Sequence, residues 1–200
     1  MKRTFDIILS FVLLISLFPV FCIVYIMVNY KLGRPAIFSQ RRPGLDEKIF
    51  TMYKFRSMTD RKGNNGQLLP DSERITKFGS FLRRSSLDEL PSLWNILVGD
   101  MSFVGPRPLL VEYLDYYTDN EKRRHTVRPG LTGLAQVSGR NNLGWNDRLK
   151  TDIKYVDNPS FFLDIKIMFL TFYKVIKKED VIAVPSSKFG KLSEERRENK

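Results

Sequence analysis

The stretch that decides the architecture runs from Ile7 to Val28 and reads IILSFVLLISLFPVFCIVYIMV. It contains no charged residue, and an unbroken helix of this length would be about 33 Å long, enough to cross the hydrocarbon core of a bilayer. No small-residue cleavage site follows it, so the segment differs from a removable secretory signal. It therefore predicts that the chain is embedded in a membrane.

Pro19 lies near the middle of this segment. A proline inside a helix removes one backbone hydrogen bond and clashes with the preceding turn, so we expect the membrane helix to break there. Cations flank both ends, with Lys2 and Arg3 before the segment and Arg41 and Arg42 after it. The positive-inside tendency then gives no reason to place the two ends on opposite sides. The pattern leaves two topologies open, a kinked helix that spans the bilayer and a re-entrant helix that returns to the face it entered.

The composition narrows the classes of function. There are 33 Lys and Arg against 22 Asp and Glu, a formal net charge of +11, which favours phosphate-bearing substrates or an acidic membrane surface. The single cysteine, Cys22, and the single histidine, His125, exclude an intramolecular disulfide and a Cys/His zinc site. The basic clusters do not alternate with aromatic residues, so we predict no nucleic-acid partner. The sequence also lacks a P-loop, a dinucleotide-binding glycine fingerprint and an Asp-x-Asp pair.

The rest of the chain predicts a predominantly helical α+β fold with a short antiparallel β-hairpin. The hairpin strands are expected at Ala36–Gln40 and Ile49–Phe55. Three helices are expected around Ile75–Arg84, Leu109–Arg124 and Phe161–Lys178. The last of them is apolar almost all round, which fits either a core helix or a helix in the membrane interface. A further helix is predicted to start at Asp88 as N-cap and to bury one apolar face formed by Leu90, Leu93, Trp94 and Leu97.

The adjacent carboxylates Asp88 and Glu89 are the candidate reactive groups. Alone, such a pair at a helix start is more often a helix cap, because carboxylates interact well with the helix dipole. Here Arg83 lies upstream, and Arg107 and Arg140 lie in downstream loops whose conformation proline and glycine restrict. Since arginine binds phosphate through a planar pair of donors, this combination predicts a pocket that handles phosphate groups.

Four motifs in fixed order now make the chain recognisable. They are Tyr53–Met58 (YKFRSM), Ser86–Pro91 (SLDELP), Gly99–Pro108 (GDMSFVGPRP) and Val127–Val137 (VRPGLTGLAQV). The chain strongly resembles the bacterial sugar transferases, the monotopic phosphoglycosyl transferases, of the small PglC-like kind. The resemblance covers roughly Lys2 to Lys178.

The resemblance implies transfer of a phosphosugar from a UDP-sugar to polyprenol (undecaprenyl) phosphate. The reaction would release UMP, pass through a covalent aspartyl-phosphosugar intermediate and start bacterial glycoconjugate assembly, with downstream glycosyltransferases as further partners. By resemblance Asp88 is the catalytic nucleophile, and Glu89 is a catalytic residue associated with a magnesium cofactor. The implied substrate-binding residues are Lys54, Arg83, Arg107, Arg140 and Asp152.

The resemblance also implies a topology. The family's N-terminal helix is re-entrant and broken at a Ser-Pro pair, where this chain has Phe18-Pro19. We therefore expect a re-entrant membrane helix over 1–30 broken at Pro19, a cytoplasmic catalytic domain with interfacial amphipathic helices over 31–185, and a solvated tail over 186–200. The location implied is the cytoplasmic face of the bacterial inner membrane. The alternative from another class is a non-catalytic, membrane-anchored basic scaffold that binds anionic lipids.

Overall fold

The computed structural model describes residues 1–139, 144–177 and 190–198. Its helices are α1 (Lys2–Ser16), α2 (Phe18–Leu32), α3 (Asp71–Arg74), α4 (Lys77–Arg84), α5 (Ser92–Val98), α6 (Asp119–Lys122), α7 (Leu134–Ser138), α8 (Trp145–Asp157), α9 (Phe161–Lys177) and α10 (Leu192–Glu198). Its strands are β1 (Ile37–Pro43), β2 (Ile49–Phe55), β3 (Ser102–Val104) and β4 (Gly130–Thr132). The predicted α+β class, mostly helical, is confirmed.

α1 and α2 are separated by Leu17 and are bent by 64° relative to each other. Pro19 lies in the first turn of α2, where its missing N–H has no helical partner to lose. Because a proline cannot donate to the carbonyl four residues earlier, the preceding helix has to end before it. The predicted break is therefore present, at Leu17 rather than at Pro19 itself. Within the described ranges no single helix is long and apolar enough to cross a bilayer, whereas this bent pair reaches that length and composition together.

The N-terminal end of α1 is bonded to the body of the protein. Arg3 donates to the carbonyls of Ile96 (2.5 Å) and Leu97 (2.8 Å) near the end of α5, where carbonyls lack helical partners. The backbone N–H of Phe103 donates to the buried carboxylate of Asp6 at 3.1 Å. These contacts place the start of α1 against the same body that contains the two carboxylates Asp88 and Glu89.

α2 packs against the hairpin. Strands β1 and β2 pair antiparallel from Ile37 opposite Phe55 to Pro43 opposite Ile49, which confirms the predicted hairpin. Val28 of α2 lies in one buried cluster with Phe55 and with residues of α4. The bent pair therefore shares the protein's core rather than standing apart from it.

The helix predicted after Asp88 differs in its start and its buried face. Asp88 lies in a 3-10 turn, Leu87–Glu89, and α5 begins at Ser92. Its inward face contains the fully buried Ser92 and Asn95, whereas Trp94 is 53% exposed. The predicted apolar face is confirmed for the buried Leu93 and the half-buried Leu90 and Leu97, but it is wrong for Trp94. Ser92 and Asn95 occupy core positions because their side chains form hydrogen bonds with the backbone of β2.

The helix predicted over Leu109–Arg124 is also wrong. The structure has a 3-10 turn at Val111–Tyr116, the short α6 and a second 3-10 turn at Arg123–His125. Thr118 starts α6 with a capping box, since its side chain accepts from the N–H of Glu121 and the Glu121 side chain accepts from the N–H of Thr118. A cap inside a predicted helix divides it, because the capping residue has a non-helical backbone.

α9 confirms the helix expected at Phe161–Lys178. It has two apolar faces, one buried and one exposed. One face packs on the body through the buried Ile167. The opposite face is apolar and exposed, and it consists of Phe162, Ile165, Phe169, Phe172 and Ile176. This spacing of three or four residues places them in one stripe along the helix.

The tail is only partly as predicted. Residues 186–189 lie outside the described ranges, but α10 folds back on the body, and its Leu192 is fully buried beside Tyr113 and Trp145. The indole N–H of Trp145 donates to the carbonyl of Gly190 at 3.3 Å. The expected solvated tail is therefore wrong for this part of 186–200, because Leu192 completes an aromatic cluster that the local sequence does not reveal.

Candidate active site

The strand that provides Lys54 is fixed to the helix that follows the carboxylate pair. Ser92 donates to the carbonyl of Tyr53 at 2.7 Å, and Asn95 accepts from the N–H of Tyr53 at 3.1 Å. The Asn95 amide also donates to the carbonyl of Thr51 at 2.8 Å. Because both backbone groups of Tyr53 are held by α5, the adjacent Lys54 is positioned over the turn that contains Asp88 and Glu89. No pattern in the sequence indicates these hydrogen bonds between α5 and β2.

The turn that presents the carboxylates begins with an unusual backbone conformation. Ser86 has φ 56° and ψ 15°, in the left-handed region that disfavours residues with a Cβ. The next three residues, Leu87–Glu89, form a single 3-10 turn before α5 starts. The left-handed residue thus changes the chain direction between α4 and α5 and brings the two carboxylates towards the cations.

Glu89 is the neutralised member of the pair. Its Oε1 accepts from Lys54 at 2.6 Å and from Arg107 at 3.0 Å. Burial alone would raise the pKa of Glu89, but the charges of Lys54 and Arg107 and their hydrogen bonds outweigh it and lower the pKa to about 2. Glu89 is therefore ionised throughout the physiological range.

Asp88 has the opposite electrostatics. It is 9% exposed and makes no hydrogen bond to the described parts of the chain. Burial, reinforced by the neighbouring negative charge of Glu89, raises the pKa of Asp88 to about 6, although Lys54, Arg83 and Arg107 oppose the shift. Near neutral pH this carboxylate is mostly ionised, poorly solvated and without a bonded partner, which is the state expected of a nucleophile.

Arg83 is positioned by a very close approach of α4 to the segment that follows β2. A Cβ added at Gly79 would lie 1.8 Å from the carbonyl oxygen of Ser57, so only glycine allows this contact. One turn later, Arg83 donates from Nε to the hydroxyl of Ser57 at 2.8 Å. The charge of Asp88 acts on Arg83 by raising its pKa, against a larger lowering by burial. The charges of Arg83 and Asp88 thus influence each other across the site, and a role of Arg83 in substrate binding stays a prediction.

Arg107 projects from a loop that is braced by backbone hydrogen bonds. The N–H of Gly105 donates to the carbonyl of Thr132, and the N–H of Gly130 donates to the carbonyl of Pro106, both at 2.9 Å. The backbones approach so closely that a Cβ at Gly105 would lie 2.3 Å from the carbonyl of Arg128. The pairing of β3 with β4 thereby fixes the loop that directs Arg107 to Glu89.

Asp152 lies behind this loop. It forms a buried ion pair with Arg124 at 2.9 Å, and Arg124 also donates to the carbonyl of Arg107 at 2.7 Å. Burial raises the pKa of Asp152, and the charge of Arg124 opposes the shift. Asp152 thus contacts the site through Arg124 and Arg107. Arg140, which was also predicted to bind substrate, lies outside the described residues.

Two further arginines, Arg42 and Arg148, interact electrostatically with Arg107 and were not among the predicted site residues. Burial and the charge of Arg107 lower the pKa of Arg42 to about 10. Burial also lowers the pKa of Arg148, on which Asp152, Arg107 and Arg124 act electrostatically. One signal in the sequence could have identified Arg148, since it lies one helical turn before Asp152.

The residues of the site fit a magnesium ion that also takes ligands from the substrate. Within the described ranges no group of three or more Asp, Glu, His or Cys side chains could enclose a metal. Mg²⁺ is nevertheless often held by one or two carboxylates together with substrate phosphates and water. Asp88 and Glu89 are adjacent and supply such a donor set, so the site fits a metal that arrives with a diphosphate.

An apolar cavity of about 410 Å³ lies beside the carboxylate turn. It is lined by Leu14, Phe18, Phe21, Ile37, Tyr53, Pro91 and Trp94. Pro91 is two residues from Glu89, and Tyr53 precedes Lys54, so the cavity borders the charged site. Its other wall is the bend between α1 and α2. The apolar cavity therefore lies next to the turn that contains Asp88 and Glu89.

Comparison with known proteins identifies the family of the chain. The sequence profile described as bacterial sugar transferase matches residues 1–178. The chain belongs to the bacterial sugar transferase family. All four motifs that carry the resemblance lie within the matched residues.

Individual relatives differ in length. The chain is 49% identical over 181 residues to a Bacillus subtilis protein named uncharacterized sugar transferase EpsL, covering 90% of each chain. It is 40% identical over 186 residues to an Escherichia coli UDP-glucose:undecaprenyl-phosphate glucose-1-phosphate transferase, with 87% of this chain and 40% of the relative covered. A Salmonella typhimurium undecaprenyl-phosphate galactose phosphotransferase is 39% identical over 90% of this chain and 41% of its own length. The chain thus spans about two fifths of these two longer relatives.

Proposed function

We propose that this protein transfers a sugar phosphate from a UDP-sugar to undecaprenyl phosphate through a covalent intermediate on Asp88. The observation that carries the proposal is the difference in environment and pKa between the two adjacent carboxylates. Glu89 is held ionised by Lys54 and Arg107, while Asp88 is buried, unbonded within the described ranges and has a raised pKa. The names of the Escherichia coli and Salmonella relatives support the same substrate classes.

In the first displacement, an Asp88 carboxylate oxygen attacks the sugar-linked phosphorus of the donor. The bond between this phosphorus and the oxygen bridging the two phosphates breaks, and UMP leaves with that oxygen. A carboxylate and a diphosphate repel each other, so the attack requires positive charge around both. Arg83 beside Asp88 and Arg107 beside Glu89 supply that charge at fixed positions, which is the arrangement that stabilises a phosphoryl transition state.

In the second displacement, a phosphate oxygen of undecaprenyl phosphate attacks the same phosphorus. The bond to Asp88 breaks, the carboxylate is restored, and the product is a polyprenyl diphosphate sugar. The two-step route lets one cationic site accept a water-soluble donor and a membrane-bound acceptor in turn. The apolar cavity beside Pro91 and Trp94 would take the first part of the acceptor's hydrocarbon chain.

Magnesium is part of the proposal. Glu89 would hold the ion, which would supply further neutralisation of the donor's diphosphate when bound. Excess EDTA should therefore abolish formation of the Asp88 adduct, and readdition of Mg²⁺ should restore it. Full activity in excess EDTA would refute this part of the proposal.

We also propose that both ends of the α1–α2 pair lie on the cytoplasmic side of the bacterial inner membrane. The polar contacts of Arg3 and Asp6 support this topology, because they hold the start of α1 against the body that α2 also joins. Lys2 adds an ion pair with Asp164 at 2.5 Å. The exposed apolar stripe of α9 would then lie in the membrane interface, and the charge of +11 suits an anionic leaflet.

Topology can be tested by cysteine labelling. Single cysteines at the exposed Thr4 and Gly33, placed separately in a Cys22→Ser background, should both resist an impermeant maleimide in intact cells and react after lysis. Labelling of the Thr4 site in intact cells would show a spanning helix instead. A cysteine in a periplasmic loop of another membrane protein serves as the positive control.

The reaction is tested by trapping the intermediate. The protein is incubated with a panel of UDP-sugars without acceptor, UMP is measured, and the adduct is located by peptide mass spectrometry. We expect a phosphosugar on Asp88 with one of the donors, none in Asp88→Asn, and an unchanged yield in the exposed control Asp115→Asn. An adduct on another residue would refute the nucleophile. Failure to release UMP with any donor and acceptor would favour the non-catalytic scaffold.

A further inference from the structure

Several cationic side chains lie around Arg107 and influence one another electrostatically. Glu89 bonds Lys54 and Arg107, and Asp152 bonds Arg124. Arg42 and Arg148 add to these cations. Arg42 lies on β1, which contacts the Val111–Tyr116 turn, and Arg148 lies over Trp145, which packs against Tyr113 of the same turn. Bringing several guanidinium groups together at a partly buried position is unfavourable unless an anion joins them.

Arg42 is held in place but incompletely satisfied. It shares a face of β1 with Gln40, whose side-chain oxygen accepts from Arg42 at 2.6 Å. Its Nε is buried and has no hydrogen-bond partner among the residues that the structure describes. Arg42 lies near the end of β1, which packs against the Val111–Tyr116 turn. One bond fixes the guanidinium and leaves a donor for a ligand.

Arg148 is positioned from the opposite side. It precedes Asp152 by one turn of α8, so the two side chains lie on the same face of the helix. Its guanidinium carbon lies 4.7 Å from the ring centroid of Trp145, and the Trp145 ring lies 5.3 Å from that of Tyr113. Both aromatic rings are buried and pack against each other, and this contact places Arg148 where the charge of Arg107 acts on it.

This side of the site is remote from the apolar cavity. Ile37 lines the cavity at the start of β1, and Arg42 lies five residues later on the same strand, roughly 16 Å away along an extended chain. The two arginines therefore lie at the end of the site away from the place we propose for the acceptor's hydrocarbon chain. An anion bound there belongs more naturally to the water-soluble donor.

We propose that Arg42 and Arg148 form a second anion subsite, next to Arg107, that binds the nucleotide phosphate of the donor. The inference rests on the proposed function. Asp88 attacks the sugar-linked phosphate, so the other phosphate must be held on the leaving side, where the arginines stabilise the charge that UMP acquires when the bridging bond breaks. Arginine suits this task because it donates two parallel hydrogen bonds to a phosphate.

Measuring the two half-reactions separately distinguishes binding of the donor's nucleotide phosphate from a role in the transfer to the acceptor. Arg42→Gln and Arg148→Gln should slow adduct formation from the UDP-sugar by about 10- to 100-fold, the effect of losing a charge-assisted hydrogen bond. Transfer of a preformed adduct to undecaprenyl phosphate, measured after UMP is removed, should stay within about twofold of the parent. Arg41→Gln is the matched control, because it removes the same charge from the neighbouring, exposed position of β1.

A binding measurement makes the test independent of turnover. UMP should bind the Asp88→Asn protein and lose about tenfold or more in affinity when Arg42→Gln or Arg148→Gln is added, with inorganic phosphate as the comparison ligand. Arg42→Lys keeps the charge and the aliphatic stem and should restore part of the binding, which excludes simple misfolding. Unchanged UMP affinity, or equal losses in both half-reactions, would overturn the subsite. Absence of any adduct in the parent would instead refute the proposed function, and UMP binding would still decide the subsite.

Discussion

Asp88 and Glu89 are neighbours in sequence, yet removal of their charges should change stability in opposite directions. Burial and Glu89 raise the pKa of Asp88 from 3.8 to about 6, and Lys54 and Arg107 lower the pKa of Glu89 from 4.5 to about 2. At about 1.4 kcal/mol per pKa unit, each shift corresponds to about 3 kcal/mol. The ionised Asp88 therefore destabilises the fold near pH 7, whereas the ionised Glu89 stabilises it.

Proton linkage gives the direction in which each carboxylate changes the stability of the fold with pH. The folded state keeps the proton of Asp88 to a higher pH than the unfolded chain does, so this destabilisation is absent at or below about pH 4 and develops as the pH rises through about 6. The contribution of Glu89 is present above about pH 5 and is lost as the pH falls towards 2. For a chain of this size, 3 kcal/mol corresponds to a change in melting temperature of about 6 to 12 °C.

Thermal unfolding in one detergent at pH 7 measures both effects. Asp88→Asn should raise the melting temperature and Glu89→Gln should lower it, while both variants lose activity. Asp115→Asn, at an exposed position, should change neither property. Repeated at pH 4.5, the gain from Asp88→Asn should shrink, because the parent carboxyl is then largely protonated. A lower melting temperature for Asp88→Asn at pH 7 would show that the carboxylate is a structural ion-pair partner, and the reasoning would be refuted.

Three more outcomes are expected from single features of the site. Gly79→Ala should lower both the melting temperature and the rate of adduct formation, since the new Cβ would meet the carbonyl of Ser57, whereas Ser80→Ala in the same helix should be tolerated; equal behaviour of the two variants would contradict this packing. The kcat/KM for the UDP-sugar should fall about tenfold per pH unit below about 6, where Asp88 is protonated, and be constant above about 7; an acid limb centred near 4 would contradict the raised pKa. Ser86→Gly should relieve the left-handed backbone and raise the unfolding free energy by up to about 1 kcal/mol in chemical denaturation, and a clear loss would show that the hydroxyl is needed.

Several features were predictable because their causes are local. The 22-residue apolar segment and its proline determine that the N-terminal helix is long, apolar and broken, since a proline acts on the turn that precedes it. The hairpin follows from two short runs rich in β-formers around Pro43-Gly44. The four ordered motifs identify the family without any coordinates.

The burial of other residues was predicted wrongly from the sequence, because it depends on contacts with neighbouring elements. Trp94 fits an apolar helical stripe, yet the interior position went to Asn95, whose amide bonds the backbone of β2. Leu192 belongs to a highly charged segment, but it fills the gap beside Tyr113 and Trp145. Helical periodicity shows which residues share a face of one helix. Which of them are buried also depends on the space between the other elements that pack against that helix.

The same distinction divides the candidate site. The sequence by itself determined the candidate pair Asp88 and Glu89, the chemical types around it and the resemblance from which their proposed roles come, because these are properties of short contiguous motifs. Only the tertiary structure decided that Lys54 and Arg107 share one oxygen of Glu89 and leave Asp88 unbonded within the described ranges. It also brought Arg42 to Arg107 from 65 positions earlier in the chain. Charges so far apart in sequence become neighbours only through packing, and their interaction, which changes steeply with distance and burial, sets the different ionisation of two adjacent carboxylates.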